Sequence, residues 1–176
     1  MDDISAKEDV TRFLASQDAQ TLAQTLLELA EDYPPVYQRL ERLRSQNDPA
    51  ALTDQFTLRL KGWQNDDRYV RSQDAAAFGR ELDMWVAQVQ REMLPRFPAE
   101  AMKLFAAFME LDVRVFENVD DDGGYVGGAF EVACEFWLTA ARAAGCTSGE
   151  IAGRASVLLA ADRYGARALL ESAIIR

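Results

Sequence analysis

Apolar residues recur along this chain at three- and four-residue intervals, in blocks cut by proline, glycine and short polar runs. That period belongs to helix, not to strand. The first block spans about Asp3 to Ala15, with Ile4, Val10, Phe13 and Leu14 on one face. Ser16 and Asp18 then offer N-cap oxygens to a second helix whose stripe is Leu22, Leu26, Leu29, Ala30 and Tyr33. Pro34-Pro35 stops it and opens a third, with Val36, Tyr37, Leu40 and Leu43. Asp48-Pro49 caps a fourth, carrying Leu52, Phe56, Leu60 and Trp63. Residues 64–72 are the most polar stretch and read as an exposed connection, a candidate sub-boundary near 64–73.

Beyond it, Ser72 or Asp74 is the expected cap of a long helix bearing Phe78, Leu82, Trp85, Val86, Val89 and Met93, ended by Pro95. Pro98 opens a helix whose stripe runs unbroken from Ala101 through Leu104, Phe105, Phe108 and Leu111 to Val115. Asp120 to Gly128 is a turn. Ala129, Val132, Ala133, Phe136, Trp137 and Ala140 mark the next helix, with Gly145 as its C′ residue. Thr147-Ser148-Gly149-Glu150 fits a capping box, opening a helix with Ile151, Ala155, Leu158 and Leu159. Tyr164-Gly165 separates it from a short terminal helix with Leu169, Leu170, Ala173 and Ile174. No run alternates as a strand does. The expectation is an all-α fold of eight or nine helices in one domain over residues 1–176. Short connections make antiparallel hairpins, stacked as an α-solenoid-like array or collapsed into a compact multi-helix bundle.

Composition supports helix: 28 Ala and 19 Leu stand against 11 Val and 4 Ile. The formal charge of -10, from 29 acids and 19 bases, argues against a nucleic-acid footprint. With no histidine, Ser-His-Asp and Cys-His catalysis and His-bearing zinc sites are excluded. Cys134 and Cys146 read as reduced, packed thiols. The polar start, Met1-Asp2-Asp3-Ile4-Ser5, and the want of a long apolar run point to a cytoplasmic protein without a membrane partner.

One turn carries candidate chemistry. Asn118, Asp120, Asp122 and Gly123 match positions 1, 3, 5 and 6 of a calcium loop, but the twelfth position is Ala129 where a bidentate Glu belongs. Glu131 falls two residues late, so a solvated helix-to-helix turn is the expectation. The glycines of 123–128 precede a helix, yet no Lys or Ser/Thr follows them and three Asp stand beside them, which disfavours a phosphate cradle. Residues 36–71 hold Arg39, Arg42, Arg44, Arg59, Lys61, Arg68 and Arg71, interleaved with acids as a solvated face would be. Trp63, Trp85, Phe105, Phe108, Phe136 and Trp137 are expected in the core, and Glu131/Glu135 as surface neighbours. No catalytic residue, cofactor or metal ligand is assigned.

The second half, about 97–175, has three linked motifs: Phe97-Pro98-Ala99-Glu100-Ala101-Met102-Lys103-Leu104, Val115 through Asp120-Asp121-Asp122-Gly123-Gly124 to Gly127, and Asp162-Arg163-Tyr164-Gly165. Together they resemble a bacterial all-helical, repeat-like family often found C-terminal to SWIM-type zinc fingers. The resemblance implies a helical-repeat fold and an interaction or scaffold role, with no catalytic residue to carry over. Without histidine this chain holds no such finger. The function expected is a protein–protein interaction module with an unidentified protein partner, a homodimer being one arrangement. The alternative is a small-ligand or divalent-metal protein using the turn at 118–131.

Overall fold

Local signals set several helix ends. The computed structural model describes the backbone of residues 2–174 and the side chains of residues 6–174; Ile4 lies outside the described side chains. Asp18 accepts from the Thr21 N–H at 2.9 Å and so starts the second helix. Asp48 accepts from the Ala50 and Ala51 N–H groups. Thr147 and Glu150 form the full capping box, and Gly145 takes a left-handed φ of 79°. Among the described residues there are nine α-helices: α1 (Asp2–Ala15), α2 (Ala19–Asp32), α3 (Pro34–Arg44), α4 (Pro49–Gln64), α5 (Ser72–Glu92), α6 (Pro98–Met109), α7 (Asp112–Asn118), α8 (Gly127–Ala143) and α9 (Ser148–Ala160). A 3₁₀ segment, Ala168–Ala173, follows. The fold is all-α, with one isolated parallel bridge between Val70 and Val119. No helix among the described residues is long and apolar enough to cross a membrane.

The chain divides into two compact units, Met1–Ser45 and Gln46–Arg176. The connection at 64–73 thus lies inside the second unit. In the first, α2 packs on α3, and among the described side chains only Ala30 and Arg42 are buried.

The second unit holds the continuous core. α8 is its centre, packed against α5, α6 and the 3₁₀ segment. Contacts of one helix with three non-adjacent elements belong to a bundle; a solenoid element touches its neighbours only. Ala101, Ala129, Ala133, Ala140 and Ala141 are fully buried and let backbones approach closely. Aromatic rings fill the remainder: Trp85 stacks on Phe108 at 5.2 Å, Phe108 meets Phe130 at 4.9 Å, and Trp63 sits edge-on to both Trp85 and Phe108. Phe136 is half-buried and Val132 exposed.

Three local expectations are corrected. Neither Ser72 nor Asp74 caps α5; Arg71 holds the N-cap position and makes no capping bond. The stripe read as one helix from Pro98 to Val115 is broken after Met109, and α7 restarts at Asp112, whose carboxylate turns inward. The terminal segment winds as 3₁₀. Of the α1 and α2 stripes, Val10, Phe13, Leu14, Leu26, Leu29 and Tyr33 are exposed, Leu22 is half-buried and Ala30 is buried.

Candidate functional site

The acidic turn comes first because it carried the sequence's sharpest motif. Asp121 sits four and five residues before Tyr125 and Val126, and its two carboxylate oxygens accept their N–H groups at 2.6 and 3.1 Å. Gly124, at φ 69°, supplies the left-handed residue the reversal needs. The turn is also pinned from outside. Asp120 donates its N–H to the Val70 carbonyl and Val70 donates to the Asn118 carbonyl, at 2.9 and 2.8 Å. Gly79 of α5 comes so close that a Cβ there would stand 2.3 Å from the Tyr125 carbonyl oxygen. Asn118 donates to the Arg114 carbonyl at 2.9 Å. Asp122, Glu131 and Glu135 are exposed, and among the described residues no three acidic or cysteine side chains converge to hold a metal ion.

The Asp162-Arg163-Tyr164-Gly165 motif is built on the same plan. Asp162 accepts from Ala166 and Arg167 four and five residues on, at 3.1 and 2.9 Å, and Gly165 has φ 73°. The two motifs are brought together. Tyr164 stacks on Phe116 at 5.3 Å. Arg167 reaches Asp112 through two parallel hydrogen bonds of 2.8 and 3.0 Å and donates a third to the Leu158 carbonyl at 2.9 Å. Sequence reading singled out neither Asp112 nor Arg167. The one signal available was their place beside the turn motifs.

A shallow cleft lies where the connection at 64–73 meets α7, lined by Trp63, Asp66, Arg68, Phe78, Arg114 and Asn118 among others. Its cations are already engaged. Arg68 forks onto Asp66, which holds that carboxyl down at about 2, and Arg114 pairs with Asp67 at 2.6 Å. Within the basic stretch Arg44 also pairs with Glu41 and Arg59 with Glu81.

The first unit presents a set of exposed apolar side chains. On α1, Val10, Phe13 and Leu14 share one face. On α2, Leu26 and Leu29 share another, with Leu27 beside them. Tyr33 follows α2, and Tyr37 and Leu43 lie on α3. These nine side chains are 41% to 62% exposed. Scattered apolar residues on a surface are ordinary; nine in 45 residues with almost no core beneath them are not.

The cysteines are free. Cys134 is buried against Met109, with its thiol pushed up to about 12 by that burial. No curated protein and no solved structure matches the chain. Residues 10–174 match one family across both units, and the chain belongs to it: the family of unknown function DUF6880.

Proposed function

We propose that the chain is a non-enzymatic protein–protein interaction module of the cytoplasm, with the apolar helix faces of its first unit as the docking surface. One observation carries the reading: the nine exposed apolar side chains of residues 10–43. Amphipathic helices bind partner helices through such faces, with apolar side chains spaced three and four apart as anchors. In the second unit the buried charges of Asp112 and Arg167 pair with each other. The absence of histidine removes the commonest acid–base and nucleophile-activating side chain.

The alternative, a small ligand or divalent cation in the turn at 118–131, has less support. Both Asp121 oxygens are taken by backbone N–H groups. The test is affinity capture on tethered full-length chain. Proteins retained by the wild type and released by Leu27→Asp support the reading. An identical retained set with both baits, or none with either, overturns it.

A further inference from the structure

On α2 the apolar positions resolve into one narrow stripe. At about 100° per residue, Leu22, Leu26 and Leu29 fall within about 60° of one another and span about 10 Å of helix axis. Leu22 is half-buried, whereas Leu26 and Leu29 are 42% and 41% exposed. Ala30 flanks the stripe on one side and is buried, and α2 packs on α3. Glu28 and Asp32 flank it on the other side, beyond Leu29, one turn apart and both exposed. Leu27 stands about 100° round from Leu26, outside the stripe.

The acids of this helix are placed against its own stability. α2 holds Glu28, Glu31 and Asp32 and no Lys or Arg. Like charges four residues apart repel, and acids in a last turn meet the negative end of the helix dipole. α1 and α3 carry arginine in their last turns, where that dipole favours it. Glu28 accepts from the neutral Gln24 amide at 3.1 Å, and Glu31 and Asp32 form no ion pair among the described residues. An apolar stripe edged by uncompensated acid is complementary to a helix of the opposite pattern, apolar at every third and fourth position with Lys or Arg alongside. The same acids repel nucleic acid and anionic lipid.

We infer that the α2 stripe binds a basic amphipathic helix of a partner protein. Leu22, Leu26 and Leu29 seat its apolar side chains, and Glu28 and Asp32 take its lysines or arginines. The inference rests on the interaction reading above and names the chemistry of the partner that the reading leaves open. Three apolar anchors make a small contact, so charge sets the orientation and the rate of encounter.

Fluorescence anisotropy with the full chain tests it. The probe is a labelled peptide of about 18 residues with leucines at helical spacing and lysines beside them. A second peptide carries glutamate in place of lysine, and a third has the lysine composition scrambled so that no stripe forms. The first is expected to bind at least about tenfold more tightly than either other, and to weaken as salt is raised. Leu29→Ala should lower its affinity about tenfold, as should Glu28→Gln combined with Asp32→Asn. Glu131→Gln with Glu135→Gln removes two exposed acids of the same spacing from α8 and should change nothing. The wild-type peptide series needs no variant, and far-UV circular dichroism verifies that each variant keeps its helices. Equal affinity for all three peptides, binding of none, or a first peptide indifferent to both α2 variants overturns the inference. So does a chain that self-associates through Leu29 without binding the peptide, which gives the face to a second copy. Captured proteins that Leu27→Asp releases and Leu29→Ala still holds leave the interaction reading standing while this inference fails. With no protein captured and no peptide bound, both fail.

Discussion

Arg167 and Asp112 face each other as a two-pronged ion pair, 2% and 0% exposed, inside the second unit. Fifty-five residues separate them in sequence. The pair joins the start of α7 to the loop after α9, and with the Phe116–Tyr164 stack it locks one motif of the second half against another. A buried pair owes its stability to completeness: each charge has lost its water, and only the partner replaces it.

Removing one member therefore leaves the other stranded. Asp112→Ala and Arg167→Ala are each expected to cost about 3–5 kcal/mol. The double replacement Asp112→Leu with Arg167→Met is expected to cost much less than the two single losses together. Urea unfolding followed by tryptophan fluorescence measures this, because Trp63, Trp85 and Trp137 all lie in the second unit. Additive losses contradict the coupling.

Glycine positions separate close approach from mere freedom. Gly79→Ala drives a Cβ into the Tyr125 carbonyl and is expected to destabilise by about 1–3 kcal/mol. Gly124→Ala forces a left-handed residue to carry a side chain, about 1–2 kcal/mol. Gly153→Ala has open space inside α9 and is expected to stabilise by about 0.5–1 kcal/mol. Melting temperatures of the three variants give the order; Gly79→Ala at wild-type stability would remove the contact between α5 and the turn.

The acid limb follows from three carboxylates held below their ordinary values. Asp66 is depressed to about 2 by its hydrogen bonds from Arg68, Asp18 by those from Thr21, and Glu150 by those from Thr147. A carboxylate with a lowered folded pKa stabilises above its unfolded value and loses that contribution as pH falls through the folded one. Thermal stability should stay level from about pH 5 to 7, with no histidine to titrate there. It should fall steadily from about pH 4.5 towards 2, most steeply without Asp66→Asn, which removes one of the groups concerned. A stability maximum below pH 3 would reverse the sign.

Thiol reactivity divides between the two cysteines. Cys134 is fully buried with its thiol near 12, so a disulfide reagent at pH 8 should reach it only as the second unit opens. Cys146 is partly exposed and should react first. Mass spectrometry of singly labelled protein identifies the site, and early labelling at Cys134 would mean that its packing is loose.

Helix and cap were legible because their signals are local. Asp18, Asp48, Thr147 and Gly145 act through bonds or torsions within a few residues, and each does what its spacing implies. The acidic turn was legible as a turn, but Asp121, not the alternate acids, proved to be its organiser. The break at Met109 was not legible: no glycine or proline marks it, and it accompanies the burial of Asp112 with a residue far down the chain. Nor does periodicity reveal what an apolar stripe packs against. Val10, Phe13 and Leu14 of α1 have the same spacing as Ala101, Leu104 and Phe105 of α6, yet the first three are exposed and the second three buried.

Amide hydrogen exchange of the full chain, alone and with the proteins it retains, tests the docking face most directly. The account predicts that those proteins raise protection across residues 6–45 while that of residues 46–174 stays fixed, and that Leu27→Asp abolishes the rise. Protection in the first unit that the retained proteins leave unchanged, or a rise confined to the second, would contradict it.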